Sequence, residues 1–391
     1  MDISVYFKPN EKIELLSNNY NKRIGNNITY FSYKNNFPDY TNNVNIALIG
    51  VKEERGTLNN KGCSLAPDTV RQFFYNLFPG SNWKIEIIDL GNIITGHNIE
   101  DTYFALKSSL TELINLNVLP IIIGGSHDLT VANYLAYENL KQIINVVSID
   151  SRFDIGESST ELNSDNHLNT IILKQPSYLF NFTNIGYQTY FVDKEAIALL
   201  KNLYFDSCRL GIARADLEDI EPMIRNADML SFDISAVRYS DAPGNVNASP
   251  NGFYGEEACQ IMRYAGLSDK LSSLGLYEIN PVIDNNNITS YLAAQMLWYF
   301  IDGFVNRKHI IPQRDKENFI KYLVPIKNNQ YEIIFYKYDI TNQWWMEIPC
   351  SINNVDKYKR HYLVPCSYKD YQIACNDDIP DRLWMMFQKL L

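Results

Sequence analysis

INVVSIDSRFDIG, residues 144–156, decides the reading of this chain. Its first part is a continuous apolar run. Its second part carries two carboxylates, Asp150 and Asp154, with a cation, Arg152, between them. A short Ile- and Val-rich run without polar alternation reads as a strand covered on both faces, as in a parallel sheet between helical layers. In such sheets, sites form at the carboxyl ends of the strands. Asp150 and Asp154 therefore stand where chemistry is expected. Arg152 is the odd residue among them.

The same pattern recurs outward from this stretch. Strand-like runs are NIALIGV (45–51), IEIIDLG (85–91), LPIIIGG (119–125), TNIGY (183–187), DMLSFDI (228–234) and SSLGLYEI (272–279). Between them, 3.6-residue spacing predicts helices over PDTVRQFFYNLF (67–78), DTYFALKSSLTELINL (101–116), DLTVANYLAYENL (128–140), YGEEACQIMRYA (254–265) and ITSYLAAQMLWYFIDGF (288–304). This alternation implies βαβ units and a mainly parallel sheet. After about Arg307 the pattern changes. IKYLVPIK, YEIIFYKYD and QWWMEIP, joined by the polar turns NNQ and ITN, predict a three-stranded antiparallel meander, with short helices near SYKDYQIAC and PDRLWMMFQKLL. The expected organisation is an αβα domain over 1–306 and a C-terminal extension over 307–391.

Composition narrows the function. With 45 acidic and 35 basic residues the formal net charge is −10, which argues against a general nucleic-acid binder. No apolar stretch is long enough for a membrane span, and MDISVYFKPNEK has no apolar signal core. The six cysteines are scattered without a CxxC pair and read as reduced thiols, so a cytoplasmic location is expected.

The residues after each strand carry the chemistry. LPIIIGG runs into SHD, giving His127. INVVSI is followed by Asp150 and Asp154. DMLSF ends in Asp233, and LGLY is followed by Glu278. One such residue alone reads as a helix cap or a core histidine. Several at one sheet edge are a different matter, because converging carboxylates repel and persist where a cation neutralises them. One His with three Asp suits a Mn-class divalent ion.

These blocks resemble, in order and over about 45–305, the ureohydrolases: arginase, agmatinase and formimidoylglutamase. IALIGVKEERGTLNNKGCSLAPDTVR resembles the family's first strand, its Gly-containing loop and its G-P-x-x-(I/V)-R helix start. GGSHD resembles GG-x-H, and DSRFD resembles D-A-H-x-D. SDNHLNT is similar to the substrate-side N-x-HG segment. SFDISAVRYSDAPG is similar to S-x-D-x-D-x-x-D-P-x-x-A-P-G, SPNGFYGEEA to P-G-G-L-x-x-x-E, and YEINPVIDNNNITSYLAAQ to E-(V/I)-N-P-x-x-D-x-x-x-x-T-x-x-x-A. The resemblance implies a three-layer αβα sandwich with a mainly parallel sheet of about eight strands.

In active members two divalent ions, usually Mn²⁺, share a hydroxide that attacks a guanidinium or formimino carbon. By position the first-ion ligands are His127, Asp150, Asp154 and Asp233, all present. The second ion shares Asp150 and Asp233, and also needs a His and an Asp where Arg152 and Ser235 stand. A further family acid is replaced by Arg238. The resemblance thus implies a degraded centre with Arg152 and Arg238 as site-filling cations. Arg152 is expected to bond Asp150 or Asp233, the alternative being that it swings out to a surface acid. Glu278 matches the acid that receives the substrate nitrogen, and His167 matches the substrate-side histidine. They are vestigial catalytic candidates, each with a structural alternative: Glu278 paired with Arg152 or Arg238, and His167 as a loop residue.

Charge counting leaves none or one divalent ion, with Mn first in line. The expected function is a pseudoenzyme that keeps the fold and acts as a binding or scaffold protein, with a protein partner through the C-terminal extension. The alternative is a hydrolase of a linear amidine, guanidino or formimino C–N bond using one metal. Ligand and oligomeric state stay open at this level.

Overall fold

The protein is described from a computed structural model, covering residues 2–10, 22–156, 161–308, 310, 316–327, 329–349 and 358–390. Its centre is a ten-stranded sheet. The strands are β1 (Phe7–Lys8), β2 (Thr29–Tyr30), β3 (Ile46–Val51), β4 (Ile87–Ile93), β5 (Leu119–Ile123), β6 (Ile144–Ile149), β7 (Leu179–Tyr187), β8 (Asp206–Arg209), β9 (Met229–Asp233) and β10 (Ser273–Tyr277). Their order is β1-β4-β3-β5-β10-β9-β6-β7-β8, with β2 beside β4. Every neighbouring pair from β4 to β8 is parallel, and β1 runs antiparallel to β4. The expected eight-stranded parallel sheet is present, and two short strands from the N-terminal segment extend it.

The apolar runs are continuous because both faces are covered. Ile46 and Leu48 of β3 pack in one core with Val70 and Phe74, whereas Ala47, Ile49 and Val51 pack in another with Leu106, Leu110 and Leu129. The first layer carries α1 (Ala66–Phe74), and the second carries α2 (Ile99–Asn115) and α3 (Leu129–Asn139). Four short helices follow that the spacing analysis does not predict: α4 (His167–Leu173), α5 (Lys194–Asn202), α6 (Leu210–Ala215) and α7 (Leu217–Arg225). Then α8 (Gly255–Leu267) and α9 (Ile288–Val305) pack on the face of α1. Strand β8 also escapes the sequence pattern. It lies at the sheet edge, and its residues Asp-Ser-Cys-Arg alternate buried and exposed, so no apolar run marks it.

Beyond α9, the antiparallel strands β11 (Phe319–Ile326), β12 (Tyr331–Tyr338) and β13 (Trp344–Glu347) form the expected meander. A fourth strand, β14 (Leu363–Cys366), completes the sheet, and α10 (Tyr368–Cys375) and α11 (Asp381–Leu390) follow. This unit docks on the amino edge of the large sheet. Arg360 pairs with buried Asp228, just before β9, and His361 Nε2 lies 3.1 Å from the carbonyl of Ile143, just before β6. His361 also stacks on Phe180 near the start of β7, ring centres 4.2 Å apart. The carboxyl ends of these strands face the other way.

One buried ion pair ties α1 to the sheet. Arg71 donates from Nε to Asp89 Oδ2 at 2.7 Å and from Nη2 to Oδ1 at 2.9 Å, and both residues are fully buried. Tyr75 donates to the same carboxylate at 2.6 Å, and Asn92 accepts from Arg71 Nη1 at 2.6 Å. The group is fully satisfied, so removing Arg71 leaves the buried Asp89 carboxylate without its counter-charge. Arg71→Leu is expected to cost about 3–5 kcal/mol in denaturant unfolding. A second constraint lies at the end of β5, where a Cβ on Gly125 would stand 1.8 Å from the Glu53 carbonyl oxygen. Gly125→Ala is expected to displace the following loop and lower the unfolding midpoint, read by thermal melting alongside Arg71→Leu.

Candidate metal centre

The strands β5, β10, β9 and β6 are consecutive neighbours, and each supplies one part of the site. Asp233 is the last residue of β9. Asp150 and Glu278 follow β6 and β10 directly, and His127 follows β5 after the tight Gly124–Gly125 turn. Because the four strands are parallel, these residues reach one edge together. His127 Nδ1 lies 3.4 Å from Asp150 Oδ2, 3.1 Å from Asp154 Oδ2 and 3.2 Å from Asp233 Oδ2. One ligand atom from each of the four residues falls within 4.8 Å of every other, and all four are buried.

The surroundings orient each ligand. His127 Nε2 hydrogen-bonds Ser231 Oγ at 2.7 Å, and Ser231 Oγ meets Thr130 Oγ1 at 2.8 Å. Donation from Nε2 turns the lone pair of Nδ1 toward the carboxylates, the arrangement of a metal-bound imidazole held from behind. Nδ1 is within ion-pair reach of three carboxylates, yet it is a buried nitrogen without a hydrogen-bond partner. Asp150 Oδ1 accepts the Arg152 N–H at 2.8 Å, and Asp233 Oδ1 accepts the Ser235 N–H at 2.6 Å. In both aspartates one oxygen is held by backbone and the other faces His127. Asp154 and Glu278 adopt positive φ, 52° and 64°, a conformation that costs a non-glycine residue energy and recurs at functional sites.

The electrostatics call for a cation. Burial lowers the basicity of His127, but Asp154 and Asp233 outweigh it and drive its pKa well above the usual value. Burial, then Asp154 and Asp233, push the Asp150 carboxyl well above the carboxylate range. Burial also acts on Asp154, yet His127 and His167 hold its carboxyl low. The pocket thus draws in protons to balance its charge, and a divalent ion supplies the same balance. One nitrogen and three carboxylate oxygens fit an ion of the Mn class.

The other candidates fall in two groups. His167 is the first residue of α4, buried, with its ring centre 4.3 Å from that of His127 and Nδ1 donating to the Ser164 carbonyl at 2.9 Å. Burial and His127 push its pKa down to about 4. Glu278 Oε1 accepts the His127 N–H at 2.9 Å, and Oε2 accepts from Asn60 Nδ2 at 2.8 Å. Burial, then Asp233, push its pKa up to about 8. Both residues adjoin the ion set. Glu278 is held by Asn60 and the His127 backbone, not by an arginine. Asn60 and Ser231 are missed by the sequence reading. Ser231 had a signal, since it lies two residues before Asp233 on the same strand face.

Neither arginine head lies among the aspartates. The Arg152 guanidinium rests over Phe191, 4.6 Å from the ring centre, and among the described residues no ion pair joins it to Asp150 or Asp233. Asp150 instead accepts the Arg152 backbone N–H with Oδ1 and faces His127 with Oδ2. Arg238 differs from its expected place as a site-filling cation. Its Nε pairs with Asp241 at 2.9 Å, and its head lies 3.9 Å from the Tyr254 ring centre. Ser235 Oγ pairs with Ser151 Oγ at 3.2 Å.

The chain is similar to known proteins of one family. A family model described as the arginase family matches residues 44–302, more than half of the chain. Formimidoylglutamase of Staphylococcus haemolyticus is 26% identical over 288 residues, covering 69% of this chain and 90% of that protein. Formimidoylglutamase of Clostridium tetani is 24% identical over 289 residues, covering 69% and 86%. Among solved structures, formimidoylglutamase of Bacillus subtilis superposes with a TM-score of 0.67 at 18% identity, covering 76% of this chain and 96% of that one. Formiminoglutamase of Trypanosoma cruzi with Mn²⁺ gives 0.64 at 20% identity, covering 68% and 95%. The fold, the order of the sequence blocks and the family match together assign this chain to the arginase family.

Proposed function

We propose that this chain is a single-ion member of the family, a binding protein that keeps the first-ion pocket and has lost two-metal hydrolysis. One observation carries the reading. The first-ion set of His127, Asp150, Asp154 and Asp233 is gathered within 4.8 Å, while the second-ion positions hold Arg152 over Phe191 and Ser235 against Ser151. Arginine does not deprotonate to ligate a metal. A serine hydroxyl is a far weaker ligand than the carboxylate it replaces. A bound divalent ion would act as a Lewis acid on an oxygen of its ligand. Around it, Glu278 would receive an N–H of the ligand and neutral His167 would line the wall. Among the described residues Cys63, Cys208, Cys259 and Cys366 are buried free thiols and Cys375 is an exposed one, which supports a reducing, cytosolic setting. Among the described residues no helix is long and apolar enough to cross a membrane.

A second reading, a one-ion hydrolase of a formimino, guanidino or other amidine C–N bond, is favoured by the placing of Glu278 and His167 against the ion set. Metal content and turnover separate the two. The binding-protein reading expects one Mn per chain after Mn-supplemented purification, its loss in Asp233→Ala, and no urea, ammonia or formamide released from arginine, agmatine or formiminoglutamate. Turnover that disappears in Asp233→Ala would transfer the assignment to the one-ion hydrolase. Mn at about a hundredfold over its Kd should stabilise the fold by about 2.7 kcal/mol, seen as a raised melting temperature. Arg152→His combined with Ser235→Asp should raise Mn content from one to two per chain, read by elemental analysis.

A further inference from the structure

The ion set does not use the Arg152 side chain. Its backbone is held on both sides: the N–H donates to Asp150 Oδ1 of the site at 2.8 Å, and the carbonyl accepts from Asn184 Nδ2 on β7 at 2.7 Å. The head lies over Phe191, 4.6 Å from its ring centre. Among the described residues it has no ion-pair partner. Asp165 feels its charge, but that carboxylate is bonded to Ser164 Oγ at 3.0 Å. A half-buried guanidinium that pairs with no acid among the described residues thus stands in the loop that carries Asp150 and Asp154. If Arg152 served only to neutralise the aspartates, it would contact them, and it does not.

We infer that Arg152 is the anion-binding arm of this pocket, and that the ligand is a small molecule carrying a carboxylate. The inference rests on the pocket assigned under the proposed function, but not on whether an ion is bound there. Three properties favour this ligand class. The guanidinium fork matches a carboxylate with two parallel hydrogen bonds. The contact with Phe191 restrains the guanidinium, so less side-chain freedom is lost when the ligand arrives. A cationic guanidino ligand is repelled by the same head. The neighbouring wall supplies neutral polar groups: Gln188 Nε2 donates to the Asn251 carbonyl at 3.1 Å, and Asn251 Nδ2 donates to Tyr190 Oη at 3.3 Å.

The test is isothermal titration of the full-length, Mn-treated protein with succinate, glutamate and citrate, and with agmatine as the cationic counterpart. Saturable binding of at least one carboxylate is expected, with agmatine showing none. Arg152→Gln should weaken that binding about tenfold or more, while Arg152→Lys, which keeps the charge, should retain part of it. Circular dichroism confirms that each variant is folded, and Mn content is measured on every sample. Arg152-dependent carboxylate binding without bound Mn leaves this inference standing and removes the single-ion reading. Bound Mn with carboxylate affinity equal in wild type and Arg152→Gln overturns this inference and leaves the single-ion reading intact. Binding of agmatine alone, or of no carboxylate at all, also overturns it.

Discussion

Three carboxylates held around one imidazole nitrogen are the constraint from which the rest of this molecule can be read. His127 Nδ1 meets Asp150, Asp154 and Asp233 at 3.1–3.4 Å in a buried pocket. Two like charges about 4 Å apart repel by about 4 kcal/mol at the effective dielectric of a protein surface, and by more with burial. A chain keeps such a cluster only if its framework is rigid and a cation balances it. The framework is four adjacent parallel strands whose carboxyl ends meet at one edge. The details serve the same end. Gly125 lets the loop that carries His127 pass against Glu53, and Ser231 and Thr130 fix the imidazole.

The two edges of the sheet have separate duties. The carboxyl edge holds the charged pocket. The amino edge receives the C-terminal unit through Arg360 on Asp228, His361 on Phe180, and Arg225 over Trp345 at 4.2 Å. This docking joins two apolar cores without touching the ion set, so the extension adds mass to the family fold on the side away from its chemistry. The fully buried Arg71–Asp89 pair is a third region, a structural link between α1 and β4. Its arginine belongs to one of the blocks by which the family is recognised, yet its task is packing.

Arg152 shows how a cation can stand in a cluster of carboxylates by sequence and still place its head elsewhere. A guanidinium is long and planar, and its preferred partners must offer free lone pairs. Asp150 and Asp233 each accept a backbone N–H with one oxygen and turn the other to His127, and the Arg152 head meets neither. The aromatic face of Phe191 is available, and the head goes there. The cluster of His127 and three aspartates is therefore left without a guanidinium from Arg152, a point that the charge count at the sequence level could not decide.

What the sequence determined by itself is everything that depends on local pattern. Continuous Ile- and Val-rich runs fill a sheet covered on both faces, and polar residues at their ends mark its carboxyl edge, so the parallel sheet and the gathering of His127, Asp150, Asp154 and Asp233 at that edge were legible. Strand β8 was not, because an edge strand buries one face and shows no run. Strand β14 and helices α4 to α7 were also hidden, since short elements owe their form to what they pack against. The tertiary structure alone decided where long side chains end. Arg152 and Arg238 carry heads several bonds from their backbones, and the partners that capture them, Phe191 and Asp241 with Tyr254, are set by neighbouring segments. It likewise decided that Glu278 rests on Asn60, 218 residues away in the chain, a contact that no local spacing encodes.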